Sequence, residues 1–259
     1  MTSALIQHET KLYCIRYDDF ANTLFYQLGL KQFGSMHKLK LDPPQPLRDL
    51  LEIAIENEPG LTAAGHDPTQ VLKVKIIELR CNMPEFCELN GLYLSIVKIA
   101  QARLYERREM LEEYFSLEID NNAKLAALPL ILPGYTPNFD NLPGFLLCMV
   151  FKVNWEEEEH CFHDVLDQLA DFYTPRHALP VSNHEEEKNQ AMDIDNLAAL
   201  EPNSQHDITK EEAEYDKHQL EHVLFPAFRK YGNFPKGLMN KSMRKLTDLP
   251  QLYKVFERC

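Results

Sequence analysis

The chain has 259 residues, of which 44% are hydrophobic and 26% charged, and this composition suits a globular domain with a sizeable core. Its formal net charge of −13 lies mostly in residues 181–216, which hold eleven acidic and two basic residues and leave −4 for the remainder. There is no basic stripe typical of a strong DNA binder, no run of about 20 apolar residues and no signal peptide at residues 1–8. Six cysteines without a C-x-x-C pair favour a reducing compartment over a disulfide framework.

The N-terminal region predicts a strand followed by a helix. β-branched and aromatic residues predict the strand over residues 11–17. Asp18 and Asp19 can cap the helix, and apolar residues at helical spacing continue it to Gly29, which marks its expected end.

The middle of the chain mixes extended and helical patterns. An extended stretch over residues 39–46 contains three prolines, and helices are predicted over 47–55 and over 72–115, the second interrupted near Pro84. Residues 117–132 predict a hairpin that turns at two asparagines. The apolar run 145–153 is short enough to predict a buried strand.

The C-terminal part combines helices with an acidic segment. A helix is predicted over residues 156–172, with Asn154 as its cap, and another over 211–231. Polar and acidic residues over 180–207 predict a disordered or loosely held loop. Because strands and helices do not alternate regularly, the whole pattern favours an α+β (mixed α/β) fold.

The most specific chemical motif is the H-x-x-E-H pattern of His218, Glu221 and His222. Two histidines four residues apart share a helix face and can bind one zinc ion, and the glutamate is the general base in inverted zinc peptidases. The sequence nominates no third ligand, and short motifs of this kind have many false positives. A surface helix that happens to carry two histidines is therefore the favoured interpretation.

Other candidate ligands are better explained structurally. His160, Cys161 and His163 are metal ligands by type, but neighbouring helix residues point about 100° apart, so His160 and Cys161 do not share a face. Cys81 and Cys87 match no standard zinc spacing. The sequence contains neither a nucleotide-binding glycine motif nor a G-x-S-x-G nucleophile motif.

Five blocks of sequence carry a family resemblance. They are residues 7–13 with 24–27, 114–119 with 128–130, 153–158, 220–226 and 249–259, the last reading LPQLYKVFERC. In this order they resemble the C-terminal domain of the eukaryotic MutL-homologue family of DNA mismatch repair, in the form of the subunit that several MutL heterodimers share. Residues 81–92 and the acidic loop match no block of the family.

The resemblance implies a domain of two lobes. Residues 1–34 and 208–259 would form a dimerisation lobe, residues 35–180 an inserted regulatory and docking lobe, and residues 181–207 the acidic loop. The implied partner is a paralogous, endonuclease-bearing MutL subunit, in a nuclear complex that contacts DNA only as a whole and contacts no membrane. The family's ATPase domain would lie upstream, so the chain is expected to be a fragment of a longer protein.

The resemblance also implies that this subunit has no nuclease site of its own. In endonuclease-bearing relatives the first strand leads into a metal-binding D-Q-H-A-x-x-E motif. Aligned on that strand, Arg16 stands at the aspartate, Asp18 at the histidine and Asn22 at the glutamate. The C-P-H-G-R-P motif of these relatives is also absent from the sequence. We therefore expect no DNA cleavage, and no cofactor, in the isolated chain.

Cys259 ends the sequence, where its thiol and the α-carboxylate are both metal ligands by type. From spacing alone it would be a frayed tail. The resemblance instead implies that Cys259 reaches across the dimer as a ligand of the zinc ion in the partner's nuclease site. Val255 and Phe256 would anchor the tail on the partner.

The acidic run after Trp155 carries a second implied role. The resemblance places Glu158, with Trp155, at a groove that recognises short peptides of repair proteins such as an exonuclease. These peptides contain a basic residue and two aromatic residues, and a carboxylate beside apolar walls suits them. Two alternatives remain open, which are a zinc peptidase that uses the H-x-x-E-H helix and a monomeric peptide-binding scaffold.

Overall fold

The computed structural model describes residues 2–57, 89–175 and 214–248, together with residues 250, 253 and 254. Helices and antiparallel sheets occur together, which confirms the α+β class. The chain divides into two compact units, residues 1–20 with 175–259 and residues 21–174. Among the described helices, none has both the length and the apolar character that crossing a membrane requires.

The strands, in chain order, are β1 (Ser3–His8), β2 (Lys11–Arg16), β3 (His37–Pro46), β4 (Glu118–Ile119), β5 (Lys124–Leu130) and β6 (Met243–Asp248). The helices are α1 (Tyr17–Lys31), α2 (Leu47–Glu56), α3 (Leu89–Glu106), α4 (Arg108–Phe115), α5 (Leu142–Lys152), α6 (Glu158–Tyr173), α7 (Phe225–Tyr231) and α8 (Lys236–Ser242). A short 3₁₀ turn at Phe139–Asn141 precedes α5, and a π-helical turn at Leu220–Leu224 precedes α7.

The first unit contains an antiparallel sheet of order β1-β2-β6, so that strands from the two ends of the chain pair side by side. The predicted strand over residues 11–17 is confirmed as β2, whereas β1 was not predicted. Residues 9 and 10 connect the two strands, and Glu9 adopts a left-handed φ of 54° there. The C-terminal elements α8 and β6 follow directly on one another.

Aromatic rings form the centre of the first unit. The ring of Phe20, at the end of the first turn of α1, lies 4.9 Å from that of Phe234 in an edge-to-face arrangement. Tyr17 meets Phe225 in the same geometry at 6.1 Å, and Phe228 contacts both Phe20 and Phe234. Edge-to-face pairs of this kind add to the apolar burial, and they fix α7 against the first turn of α1.

The second unit contains a sheet of order β3-β5-β4 with helices α2 to α6. The predicted hairpin is confirmed as β4 and β5. Asp120 Oδ1 accepts hydrogen bonds of 2.8 Å from the backbone N–H groups of Asn122 and Lys124, and Ala123 takes a φ of 55°. The predicted helices over 47–55 and 156–172 are confirmed, and so is the described part of 72–115, where α3 and α4 meet at Arg107.

The predicted buried strand over residues 145–153 is wrong, because this run forms most of helix α5. Six of its eleven residues are buried, and it contacts α2, α3 and α6. The less buried side holds Gly144, Cys148, Phe151 and Lys152, of which only Lys152 is charged, so no polar stripe marks the 3.6-residue period that would distinguish this helix from a strand. Pro143 stands in the first turn, where its missing N–H group costs nothing.

Two predicted helix boundaries are also wrong. Gly29 lies inside α1, where a Cβ atom would come within 3.0 Å of Leu166 Cδ2, so the glycine permits close packing rather than ending the helix. Asn154 does not cap α6, which begins at Glu158 without a side-chain cap. The Oδ1 atom of Asn154 instead accepts a hydrogen bond of 3.1 Å from the backbone N–H group of Glu156, in the turn before the helix.

Candidate dimerisation and docking surfaces

The β1–β2–β6 sheet has one covered face and one open face. Paired residues project from the same face of an antiparallel sheet, so Leu5, Cys14 and Arg244 form one cross-strand row. Leu5 is 65% exposed and Arg244 is exposed, whereas Ile15, on the opposite face, is 6% exposed. The open face therefore carries apolar side chains that the first unit leaves uncovered.

A bulge in β6 adds to the apolar character of this sheet. The pairing shifts between Leu12 and Tyr13, so that Leu246 has no partner on β2, and Leu246 is 48% exposed. Scattered exposed leucines are normal, but apolar residues grouped on a sheet face are typical of a protein–protein interface.

Arg16 is the residue that the family resemblance is expected to align with a metal-binding aspartate of the endonuclease-bearing relatives. Its guanidinium lies 3.5 Å from Asp18 Oδ2 and 3.4 Å from Asp19 Oδ1, so both neighbouring carboxylates are ion-paired. The hydroxyl of Ser242 donates a further hydrogen bond to Asp19. A cation held at this point repels a metal ion, and the residues do not fit a metal site here.

The predicted tail ligand and its anchors are not placed by the structure. Val255, Phe256 and Cys259 lie outside the described residues, as do Cys81, Cys87 and the acidic loop. Within the tail, Tyr253 and Lys254 are exposed, Tyr253 by 67%.

Trp155 stands in the turn that leads into α6. The backbone N–H group of Asn154 donates to Asp164 Oδ2 at 2.9 Å and ties this turn to the helix. The indole ring of Trp155 is half-buried, and its Nε1 is buried with no hydrogen-bond partner among the described residues. A buried N–H donor normally finds an acceptor, so this indole nitrogen is one of two exceptions among the buried side-chain polar atoms of the described residues.

Glu158 begins α6, is exposed, and lies one turn before Phe162. Residues four apart on a helix share a face, so the carboxylate and the ring lie on the same side of α6. Phe162 is half-buried, with its ring 5.1 Å from that of Phe33 and 5.0 Å from that of Tyr114, both of which are also half-buried. The structure therefore brings Glu158 onto the same helix face as a partly exposed aromatic cluster, which the sequence alone did not predict.

Cys161 faces inward, as its helical position predicts. It is 5% exposed, and burial raises the pKa of its thiol. Its neighbours His160 and His163 are exposed, with His160 Nδ1 2.7 Å from Glu157 and the His163 ring 5.5 Å from that of Tyr26. Surface pairing therefore accounts for these histidines.

His218 and His222 lie on one helix, with ring centroids 4.5 Å apart. Both are exposed, and Glu221 between them is exposed as well. No third histidine, cysteine, aspartate or glutamate joins them in a ligand cluster within the described ranges. The three ligands of a catalytic zinc site are therefore not assembled there.

Comparison with known proteins gives the same family as the sequence blocks. The model of the family described as "DNA mismatch repair protein Mlh1 C-terminus" matches residues 1–259. The chain is 28% identical over 256 residues to the DNA mismatch repair protein Mlh1 of Dictyostelium discoideum, which covers 99% of this chain and 26% of that protein. It is 30% identical over 264 residues to the DNA mismatch repair protein MLH1 of Saccharomyces cerevisiae, which covers 99% of this chain and 29% of that protein.

The chain thus spans less than a third of the length of these two relatives. The resemblance to the MutL-homologue family is confirmed along the whole chain, from the β1–β2 hairpin to the tail. Because one family model accounts for every residue from 1 to 259, the chain belongs to the family of DNA mismatch repair protein Mlh1 C-termini.

Proposed function

We propose that this chain is the heterodimerisation and partner-docking domain of a nuclear MutL complex, and that it pairs with a paralogous, endonuclease-bearing MutL subunit. The observation that carries the proposal is the open face of the β1–β2–β6 sheet, with Leu5 65% exposed at its edge strand. Burial of this apolar surface against a partner would remove it from water, which is the main driving force of stable association.

The ion pairs of Arg16 support a non-catalytic role for this subunit. Where the partner would hold a metal ion, this chain places a guanidinium between Asp18 and Asp19. The subunit would contribute to DNA cleavage only in trans, through Cys259 at the partner's zinc ion. A thiolate is a suitable zinc ligand, and the remaining ligands would come from the partner.

The first test is co-expression with the C-terminal half of an endonuclease-bearing MutL paralogue, followed by light scattering on the purified product. A stable one-to-one complex is expected. A chain that stays monomeric with every such paralogue would instead favour the monomeric peptide-binding scaffold.

A charge on the open sheet face should weaken the heterodimer. For the variant Leu5→Glu we expect the Kd to rise about 30-fold or more, equivalent to about 2 kcal/mol, because the carboxylate would be buried without a partner. The matched control is Ile53→Glu, which alters a 45% exposed residue on α2 in the other unit. Both side chains are exposed, so both variants should fold. An unchanged Kd for Leu5→Glu, measured by titration calorimetry, would place the interface elsewhere.

Peptide docking on the α6 face forms the second part of the proposal. The exposed carboxylate of Glu158 suits the basic residue of the peptide, and the ring cluster of Phe33, Tyr114 and Phe162 suits its aromatic residues. The half-buried indole ring of Trp155, in the turn that leads into α6, would add an aromatic surface for the peptide. Repair proteins such as an exonuclease would supply such peptides.

Removing the carboxylate should weaken this docking without unfolding the chain. We expect Glu158→Ala to lower the affinity for a peptide of one arginine and two aromatic residues about tenfold, equivalent to about 1.4 kcal/mol, which is close to the lower end of the range for hydrogen bonds to charged groups. The matched control is Glu159→Ala, because Glu159 is equally acidic and exposed but points about 100° away around the helix. Fluorescence anisotropy with a labelled peptide measures both variants. If Glu158→Ala and Glu159→Ala lost the same peptide affinity, Glu158 would contribute only to the overall negative charge at the start of the helix.

The zinc-peptidase alternative requires a third ligand for His218 and His222, and within the described ranges no third residue joins them. It predicts peptide hydrolysis by the isolated chain that Glu221→Gln abolishes. The dimerisation proposal predicts no peptide hydrolysis by the unchanged chain or by Glu221→Gln.

A further inference from the structure

His218 and His222 form a pair that neither core packing nor surface ion pairing explains. Both side chains are exposed, and their ring centroids are 4.5 Å apart with the planes inclined by 50°. Among the described residues, no hydrogen bond or ion pair engages either imidazole. The nitrogen lone pairs of two adjacent rings are therefore accessible to solvent.

The helix that carries the two histidines departs from α-helical geometry next to them. Residues 214–231 are helical throughout, but the turn at Leu220–Leu224 is π-helical, and the N–H group of Phe225 donates to the carbonyl of Leu220 five residues back. Pro226 explains this turn. In a regular α-helix its ring would clash with the carbonyl of His222, four residues earlier, and it has no N–H group to donate.

The π-helical turn brings the side chains of His218 and His222 closer to the same angular position around the helix axis. In an α-helix of 3.6 residues per turn, residues four apart are offset by about 40° around the axis. A π-helical turn contains more residues than an α-helical turn, so the angular offset between the two histidines becomes smaller. The ring of His222 therefore lies more nearly in line with that of His218 along the helix axis. Single π turns inside α-helices occur frequently at functional sites.

We propose that His218 and His222 chelate one divalent transition-metal ion through two imidazole nitrogens. Neutral imidazole suits Zn²⁺, Ni²⁺ and Cu²⁺. Water completes the coordination, because no third histidine, cysteine, aspartate or glutamate joins the pair in the described ranges. Glu214, one turn before His218 on the same face, adds a favourable negative field.

The test is calorimetric titration of the untagged 259-residue chain with NiCl₂ at pH 7.5. Ni²⁺ is the chosen probe because soft thiolates select Zn²⁺ more readily, so cysteines compete less. One ion per chain is expected, and His218→Ala or His222→Ala should each weaken binding about 100-fold, the order by which a linked second contact raises affinity. The control is His163→Ala, which alters another exposed histidine and should leave binding unchanged.

Two further readouts make the outcome decisive. Binding should be weaker at pH 5 than at pH 7.5, because protons compete for the imidazole nitrogens. Saturating Ni²⁺ should raise the melting temperature of the chain and not that of the double variant, because the ion binds the folded state. Absence of binding at millimolar Ni²⁺, or an equal loss in His163→Ala, would overturn the proposal. Absence of peptide hydrolysis by the unchanged, metal-loaded chain separates this site from a peptidase.

Discussion

Replacing Phe25 by alanine is expected to lower the free energy of unfolding of the second unit by about 3–5 kcal/mol. Phe25 is fully buried, and its ring lies 5.0 Å from that of Tyr135 and 5.6 Å from that of Tyr173. The hydroxyl of Tyr135 donates to the carbonyl of Tyr173 at 2.8 Å, and the hydroxyl of Tyr173 donates to the carbonyl of Pro129. These bonds hold the surrounding rings in place, so the cavity left by Phe25 cannot collapse easily.

Urea denaturation followed by tryptophan fluorescence measures this loss, because Trp155 is the only tryptophan and lies in the same unit as Phe25. The matched control is Phe139→Ala, which removes a ring that is 41% exposed and should change stability by less than about 0.5 kcal/mol. If both variants lost the same stability, Phe25 would not be part of the packed centre of the unit.

The elements that the sequence predicted correctly are those in which only one face is buried. Helix α2 buries Leu47, Leu51, Ala54 and Ile55 on one side, and this spacing is visible in the sequence. The hairpin of β4 and β5 was predicted because Asp120 and two asparagines favour a turn. The run 145–153 carried no such signal, since even the less buried side of α5 holds mostly apolar residues.

Tertiary contacts explain the remaining differences. Gly29 is a helix terminator by local preference, yet a Cβ atom at this position would lie 3.0 Å from Leu166 Cδ2, so the glycine allows a close approach that a side chain would disturb. The strand β1 was missed because its six residues, SALIQH, are short and do not alternate between polar and apolar, and its pairing with β2 is what stabilises it.

The candidate sites were predictable only in part, for a similar reason. Glu158 and Trp155 were named from the family blocks, whereas the aromatic cluster beside Glu158 combines Phe33, Tyr114 and Phe162 from three distant parts of the chain. The i,i+4 spacing of His218 and His222 was visible in the sequence. The π turn that aligns them was not, although Pro226 is the residue that causes it.

Replacing Cys259 by alanine is expected to reduce DNA nicking by the heterodimer by about 100-fold while leaving heterodimer formation unchanged. The reason is chemical, because a thiolate that completes a zinc coordination sphere cannot be replaced by a methyl group. Changes to groups that merely support metal ligands already cost about 10–100-fold in activity or metal affinity, and loss of a ligand should cost no less. Nicking of supercoiled plasmid, with light scattering to verify the one-to-one complex, measures both properties.

Two variants test whether the effect of Cys259 is coordination rather than loss of a tail contact. Cys259→His should restore part of the nicking activity, since imidazole is also a zinc ligand, whereas Cys148→Ala should leave it unchanged because Cys148 lies on α5 in the second unit. Zinc content of the purified heterodimer should fall in Cys259→Ala and recover in Cys259→His. Full nicking by the alanine variant would show that the partner completes its own metal site, and this subunit would then act through dimerisation and peptide docking alone.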